Sequence, residues 1–148
     1  MDVQALYQQI ILDHAKAPHG SGLREPFGAQ VHHVNPTCGD EITLRAAVVA
    51  GIVTDVSYES LGCSISTAGA SVMADTVTGL PVEDAMRRYE LMLEMLQSRG
   101  NVEGDPELLG DAVAFAGVAR FPARVKCALL GWAAMRDAVL TATTKELP

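Results

Sequence analysis

Three cysteines carry most of the chemistry this chain could do, and none stands in a setting typical of a core position. They are Cys38 in Asn35-Pro36-Thr37-Cys38-Gly39-Asp40, Cys63 in Leu61-Gly62-Cys63-Ser64-Ile65-Ser66, and Cys127 in Arg124-Val125-Lys126-Cys127. The first lies in a Pro/Gly turn beside a carboxylate, the second where a strand-like run gives way to a helix-like one, and the third behind basic residues. Such settings suit reactive or metal-binding thiols. Three thiolates and Asp40 make four donors, the count of a tetrahedral zinc site. Soft thiolates select zinc or iron-sulfur chemistry over calcium or magnesium. The competing reading is three unrelated core cysteines, because a free cysteine packs as a small hydrophobe. A core filler has no use for Pro36, Gly39 and Asp40, and an odd cysteine count does not make a disulfide framework. Asp40 is two residues from Cys38, so a tight turn could bring both to one ion. A solvated turn residue is the alternative.

Those residues must be positioned by the elements between them. Val3, Leu6, Tyr7, Ile10, Ile11 and His14 recur at helical spacing, predicting an amphipathic helix over residues 2–16 with Asp2 as N-cap. Alternation then takes over, with Ala29, Val31 and His33, then Ile42, Leu44, Ala46 and Val48, then Val56 and Tyr58 after an Ala50-Gly51 turn. Three short strands with tight connections make an antiparallel meander, which returns Cys38 and Cys63 to the same end of the sheet. Beyond Cys63 the spacing predicts helices closed by Gly79 and Pro81, then by Gly100-Asn101. A further helix runs from Asp105-Pro106-Glu107 to about Gly117, and a last one opens at Pro122 with the stripe Ala128, Leu129, Trp132, Met135 and Val139. Cys127 falls in the first turns of that last helix. There the helix dipole, with Arg120, Arg124 and Lys126, is expected to favour the thiolate.

Other candidates are weaker. His14, His19, His32 and His33 occupy no motif position, and His32 and His33 face opposite sides of a strand. Met73, Met86, Met92 and Met95 read as core filler. No glycine-rich phosphate loop is present, and no Ser-His-Asp arrangement can be traced.

The three cysteine motifs, with Phe121-Pro122-x-Arg124-x-Lys126-Cys127 and Trp132 downstream, resemble the SufU branch of the IscU/NifU N-terminal family over nearly the whole chain. The resemblance implies an α+β fold, a three-stranded antiparallel sheet with about five helices packed around it. It also implies zinc, or a nascent iron-sulfur cluster, held by Cys38, Asp40, Cys63 and Cys127. Lys126 stands where IscU-type scaffolds carry histidine, and no Leu-Pro-Pro-Val-Lys segment is present. Both departures favour a zinc-dependent sulfurtransferase, which takes persulfide sulfur from a pyridoxal-phosphate cysteine desulfurase of the SufS type and passes it to a downstream SUF scaffold. In the family the desulfurase is thought to supply a substitute ligand that frees the first cysteine. Cys38, in the most exposed setting, is the expected acceptor. Arg124, one helical turn before Cys127, is the expected basic participant. A scaffold for a transient cluster and a zinc-stabilised binding module are the alternatives. A metal hydrolase lacks a general base.

The bulk numbers agree with these expectations. At 148 residues the chain fits one domain, residues 1–148, able to bury about two thirds of its unfolded surface. A net charge of -7 and a pI near 4.9 oppose binding to nucleic acid or an anionic membrane and favour protein partners. The opening Met1-Asp2-Val3-Gln4 lacks the basic and apolar parts of a signal peptide. Uncharged apolar runs such as residues 46–53 fall far short of the roughly 20 residues of a spanning helix. A soluble cytoplasmic protein is expected.

Overall fold

The structure, a computed structural model, describes residues 2–146. Asp2 opens α1 (Val3–Lys16) as its N-cap, its Oδ1 accepting the Ala5 N–H at 3.0 Å and satisfying a donor that the first turn leaves orphaned. The apolar stripe of α1 is less buried than its spacing predicts. Val3, Leu6 and Leu12 stay exposed, Tyr7 and Ile11 lean against the core, and the buried side chain is His14.

Three antiparallel strands follow in the order β1 (Ala29–Asn35), β2 (Asp40–Val49) and β3 (Ile52–Leu61). Alternation places Ile42, Leu44, Ala46 and Val48 on the buried face with Val56 and Tyr58 beside them. The pairs Val31 with Leu44 and Leu44 with Tyr58 carry that register across the sheet. Asn35 pairs with Asp40 and Glu41 with Leu61, so the end of β1, the start of β2 and the end of β3 share one edge.

Helices α2 (Ser64–Val77) and α3 (Val82–Gln97) form as the apolar spacing predicts, with Ala85, Met92 and Leu96 of α3 buried. The helix expected from Asp105 to about Gly117 does not form as one piece. The chain makes a single turn, α4 (Pro106–Leu109), capped by Asp105 Oδ1 accepting the Glu107 N–H at 2.9 Å, and then a 3-10 helix over Gly110–Arg120. Gly110 at φ +54° turns the chain out of the α conformation. The buried residues that follow are mostly small and adjacent in sequence, Ala112 to Phe115, and so carry no 3.6-residue stripe.

The last helix, α5 (Pro122–Glu146), lies between the sheet and α2 and buries Ala128, Leu130, Trp132, Met135 and Val139. Gly69 marks its tightest crossing with α2. A Cβ there would lie 2.6 Å from the Ala128 carbonyl oxygen, so a side chain would force the helices apart. That contact seats the residue next to Cys127 against the helix that begins beyond Cys63. Among the described residues, no helix is long and apolar enough to cross a membrane.

Candidate metal centre

The β1–β2 connection is built on Asn35. Its carbonyl accepts the Cys38 N–H at 3.3 Å and the Gly39 N–H at 2.9 Å, and its Oδ1 accepts the Thr37 N–H at 3.3 Å. These bonds project Cys38 from the tip of the turn, exposed to solvent. Asp40 begins β2 and is only 2 % exposed. Its Oδ1 accepts the backbone N–H of Cys63, the N-cap residue of α2, at 3.2 Å. Gly62 permits that approach, because a Cβ there would stand 2.8 Å from Asp40 Oδ1. Cys127 comes from the second turn of α5 and is buried.

All four line one open cleft of about 570 Å³, together with Arg124 and Ile65. The Cys127 thiol donates to Cys38 Sγ at 3.0 Å, and ligand atoms of Cys38, Asp40 and Cys127 all lie within 4.8 Å of one another. Cys63 Sγ stands 3.8 Å from Asp40 Oδ2 but is not part of that trio. A tetrahedral zinc ion with bonds of about 2.3 Å to sulfur holds its sulfur ligands about 3.8 Å apart. The donor types fit such an ion, with the Cys38 and Cys127 sulfurs parting from 3.0 Å and Cys63 turning in from beside Asp40 to complete the set. Cys127 supplies a second sign of fit. Burial pushes its thiol well above the usual range, the contacts with Cys38 and Asp40 push it further, and so does negative charge on Cys63 and Asp40. A buried thiol that resists ionising beside three further donors is what a bound cation would reconcile.

This reverses the expectation that α5 and its basic residues favour the bare thiolate. Of those residues only Arg124 lines the cleft. Arg120 packs its side chain beside Gly100, and Lys126 is exposed and absent from the lining. Sequence reasoning also passed over Asn35 and Ser66. Buried Asn35 directs Nδ2 at Cys127 Sγ at 3.8 Å, while Ser66 Oγ lies 3.9 Å from Cys63 Sγ and donates to the Cys63 carbonyl at 3.1 Å. An asparagine before a turn proline signals an Asx-type turn. Its reach to a sulfur 92 residues away carries no local signal.

The histidines lie elsewhere. His32 Nδ1 contacts Thr43 Oγ1 at 2.9 Å, and His33 Nε2 contacts Asp137 at 2.8 Å. A Ser-His-Asp arrangement does exist, contrary to the sequence reading, with His14 between Ser71 Oγ at 2.6 Å and Asp111 at 2.9 Å. Ser71 is fully buried in α2 and already accepts the His19 N–H, so it has no access to a substrate as a nucleophile.

Comparison with known proteins places this geometry among relatives. A family described as the NifU-like N terminal domain matches residues 6–128. The zinc-dependent sulfurtransferase SufU of Bacillus subtilis is 40% identical over 138 residues, covering 93% of this chain and 92% of that protein. The iron-sulfur cluster assembly scaffold protein IscU of Streptococcus pyogenes is 39% identical over 134 residues, covering 90% and 82%. The crystal structure of a nitrogen-fixing NifU-like protein (N-terminal) from Brucella abortus superposes with a TM-score of 0.86 at 25% identity, covering 97% of this chain and 98% of that one.

Proposed function

The chain belongs to the NifU-like N-terminal domain family, and from that premise we propose that it is a zinc-dependent sulfurtransferase of iron-sulfur cluster assembly. It takes sulfur from the persulfide of a pyridoxal-phosphate cysteine desulfurase and passes it to a downstream assembly protein. The observation that carries this reading is the unequal exposure of two sulfurs 3.0 Å apart: Cys38 stands at an exposed turn, and Cys127 is buried behind it. A transfer centre needs one thiol that a partner can reach and others that stay put.

Cys38, Asp40, Cys63 and Cys127 would hold the zinc, which when bound keeps its thiols deprotonated and holds their reactivity in check. The transfer itself is carried by Cys38. Its sulfur attacks the terminal sulfur of the partner's persulfide, a new S–S bond forms at Cys38, and the partner's S–S bond breaks. The partner's cysteine leaves as thiolate and collects a proton. One sulfane sulfur changes hands, so no external oxidant or reductant is needed. Arg124 lines the same cleft, where its guanidinium can offer N–H donors to the developing persulfide anion or to a carboxylate of the desulfurase. Asn35 and Ser66 orient the sulfurs from behind.

The scaffold reading shares the ligand set and differs in what accumulates on it. The residue before Cys127 is Lys126, where IscU-type scaffolds carry histidine, so no imidazole stands at that position, which favours transfer over scaffolding. The test mixes the protein with a SufS-type desulfurase and cysteine. Parent protein gains the mass of one sulfur and stimulates turnover, and Cys38→Ala does neither. Normal sulfur uptake by Cys38→Ala would reassign the acceptor, and a stable iron-sulfur chromophore without sulfur passing onward would favour the scaffold.

A further inference from the structure

We infer that His14, His19 and Asp75 form a second cation site, separate from the thiolate cleft and suited to a borderline divalent transition metal such as zinc, cobalt or nickel. One ligand atom from each of the three falls within 4.8 Å of the others. Two imidazoles and a carboxylate are donors for that class of ion, whereas magnesium and calcium take all-oxygen sets.

The surroundings of His14 support a ligand role. The ring is 4 % exposed, and Nε2 lies 2.9 Å from Asp111 Oδ2. Nε2–H donates to that carboxylate, leaving Nδ1 as the lone-pair nitrogen, which now accepts the Ser71 hydroxyl at 2.6 Å. A metal-ligating histidine characteristically donates its other ring N–H to a carboxylate, which fixes the tautomer and raises the basicity of the ligating nitrogen. Asp111 stands in that position.

His19 is preorganised through its backbone. Its N–H donates to Ser71 Oγ at 2.8 Å, and its carbonyl accepts the Tyr58 hydroxyl at 2.6 Å. Held there, its Nδ1–H donates to Asp75 Oδ2 at 2.6 Å. The two imidazole rings are 4.8 Å apart and tilted by 57°, an arrangement that brings nitrogens together without stacking the faces. A cation entering the cluster takes the place of the His19 proton toward Asp75, and that proton moves to the outer nitrogen of the same ring. The Ser71 hydroxyl turns away from His14 toward the α2 backbone, as Thr76 Oγ1 already does in donating to the Val72 carbonyl at 2.6 Å. His19 and Asp75 are about half exposed, which leaves an entry route. The buried His14 closes the inner side.

The experiment titrates protein already holding one equivalent of zinc with cobalt(II) and records the visible absorption. The expected result is cobalt d–d absorption without sulfur-to-cobalt charge transfer. His19→Ala and Asp75→Asn each weaken binding at least tenfold, and Asp111→Asn weakens it about 10- to 100-fold, as loss of an outer carboxylate does elsewhere. His19→Ala keeps both backbone bonds that hold the loop, so it is expected to fold; Asp75→Asn is the second, exposed variant. The absence of sulfur-to-cobalt charge transfer separates this site from the thiolate reading. No cobalt absorption, binding undiminished in both His19→Ala and Asp75→Asn, or absorption dominated by sulfur charge transfer overturns the inference.

Discussion

The thiolate cleft and the His14–His19–Asp75 cluster each gather three donors within 4.8 Å, yet they hold them by opposite means. In the histidine cluster every donor already shares a proton with a neighbour, at 2.6 Å to Ser71, 2.6 Å to Asp75 and 2.9 Å to Asp111. In the cleft the Asn35 and Asp40 contacts to sulfur are long, at 3.8 Å each, and the short one joins Cys127 to Cys38, two groups that repel once both ionise. Protons satisfy the first region, whereas the second is left to be completed by a cation. A cation should therefore govern the stability of the cleft and add little to the histidine cluster.

The largest test of that contrast is metal removal. If zinc is present at about a thousandfold over its dissociation constant, losing it costs about 4 kcal/mol, or a melting temperature roughly 10 °C lower. Three elements pinned at one point are freed together. Calorimetry before and after chelation checks this, and an unchanged melting temperature after verified metal loss would erase the distinction between the two regions.

Asp40→Ala should fall next. The substitution leaves three thiols able to bind zinc, but it strips the part-buried Cys63 N–H of its acceptor, a loss of about 1 kcal/mol. Partial zinc content, lowered stability and impaired sulfur transfer are expected together. Full zinc content with normal transfer would show that the carboxylate only caps α2.

Arg124→Ala sharpens the comparison from the functional side. It should lower sulfur transfer several-fold while zinc content and melting temperature stay close to parent. Arg120→Ala and Arg136→Ala should leave transfer intact, since Arg120 packs beside Gly100 and Arg136 lies 5.8 Å over the Tyr89 ring. Equal activity in all three would make the basic residues a solvated face.

The smallest effect lies in the histidine region and appears only in alkali. Burial, with the nearby negative charge of Asp75, raises the Tyr58 hydroxyl from 10.0 to about 12. Its neutral form donates to the His19 carbonyl. The unfolded chain ionises first, so this contribution is fully present below about pH 10 and is lost as pH rises toward about 12. Tyr58→Phe should flatten the decline in denaturation midpoint across that window, and an unchanged slope would assign the decline to other groups.

Much of the positioning was legible in the residues alone. Period-two alternation placed Ile42, Leu44 and Ala46 on a buried face, and antiparallel reversal returned Cys38 and Cys63 to one sheet edge. Asp2 and Asp105 announced helix starts through N-cap chemistry, which depends only on neighbours in sequence. The 3-10 stretch after Gly110 escaped because consecutive small residues buried together leave no period to read.

What local pattern could name but not join was decided by packing. Cys127 was identifiable as a thiol, yet its contact with Cys38 crosses 89 residues and depends on α5 lying between sheet and α2, where Gly69 admits Ala128. The same packing turned the expected thiolate into a buried thiol, because desolvation outweighs a helix terminus whose basic neighbours mostly point elsewhere. The His14 network spans 57 and 97 residues. Propensity and periodicity report on a few neighbouring residues, so they determined the elements and the candidate donors. Which donors meet, and how deeply each is withdrawn from water, is a property of the assembled core, and only the tertiary structure decided it.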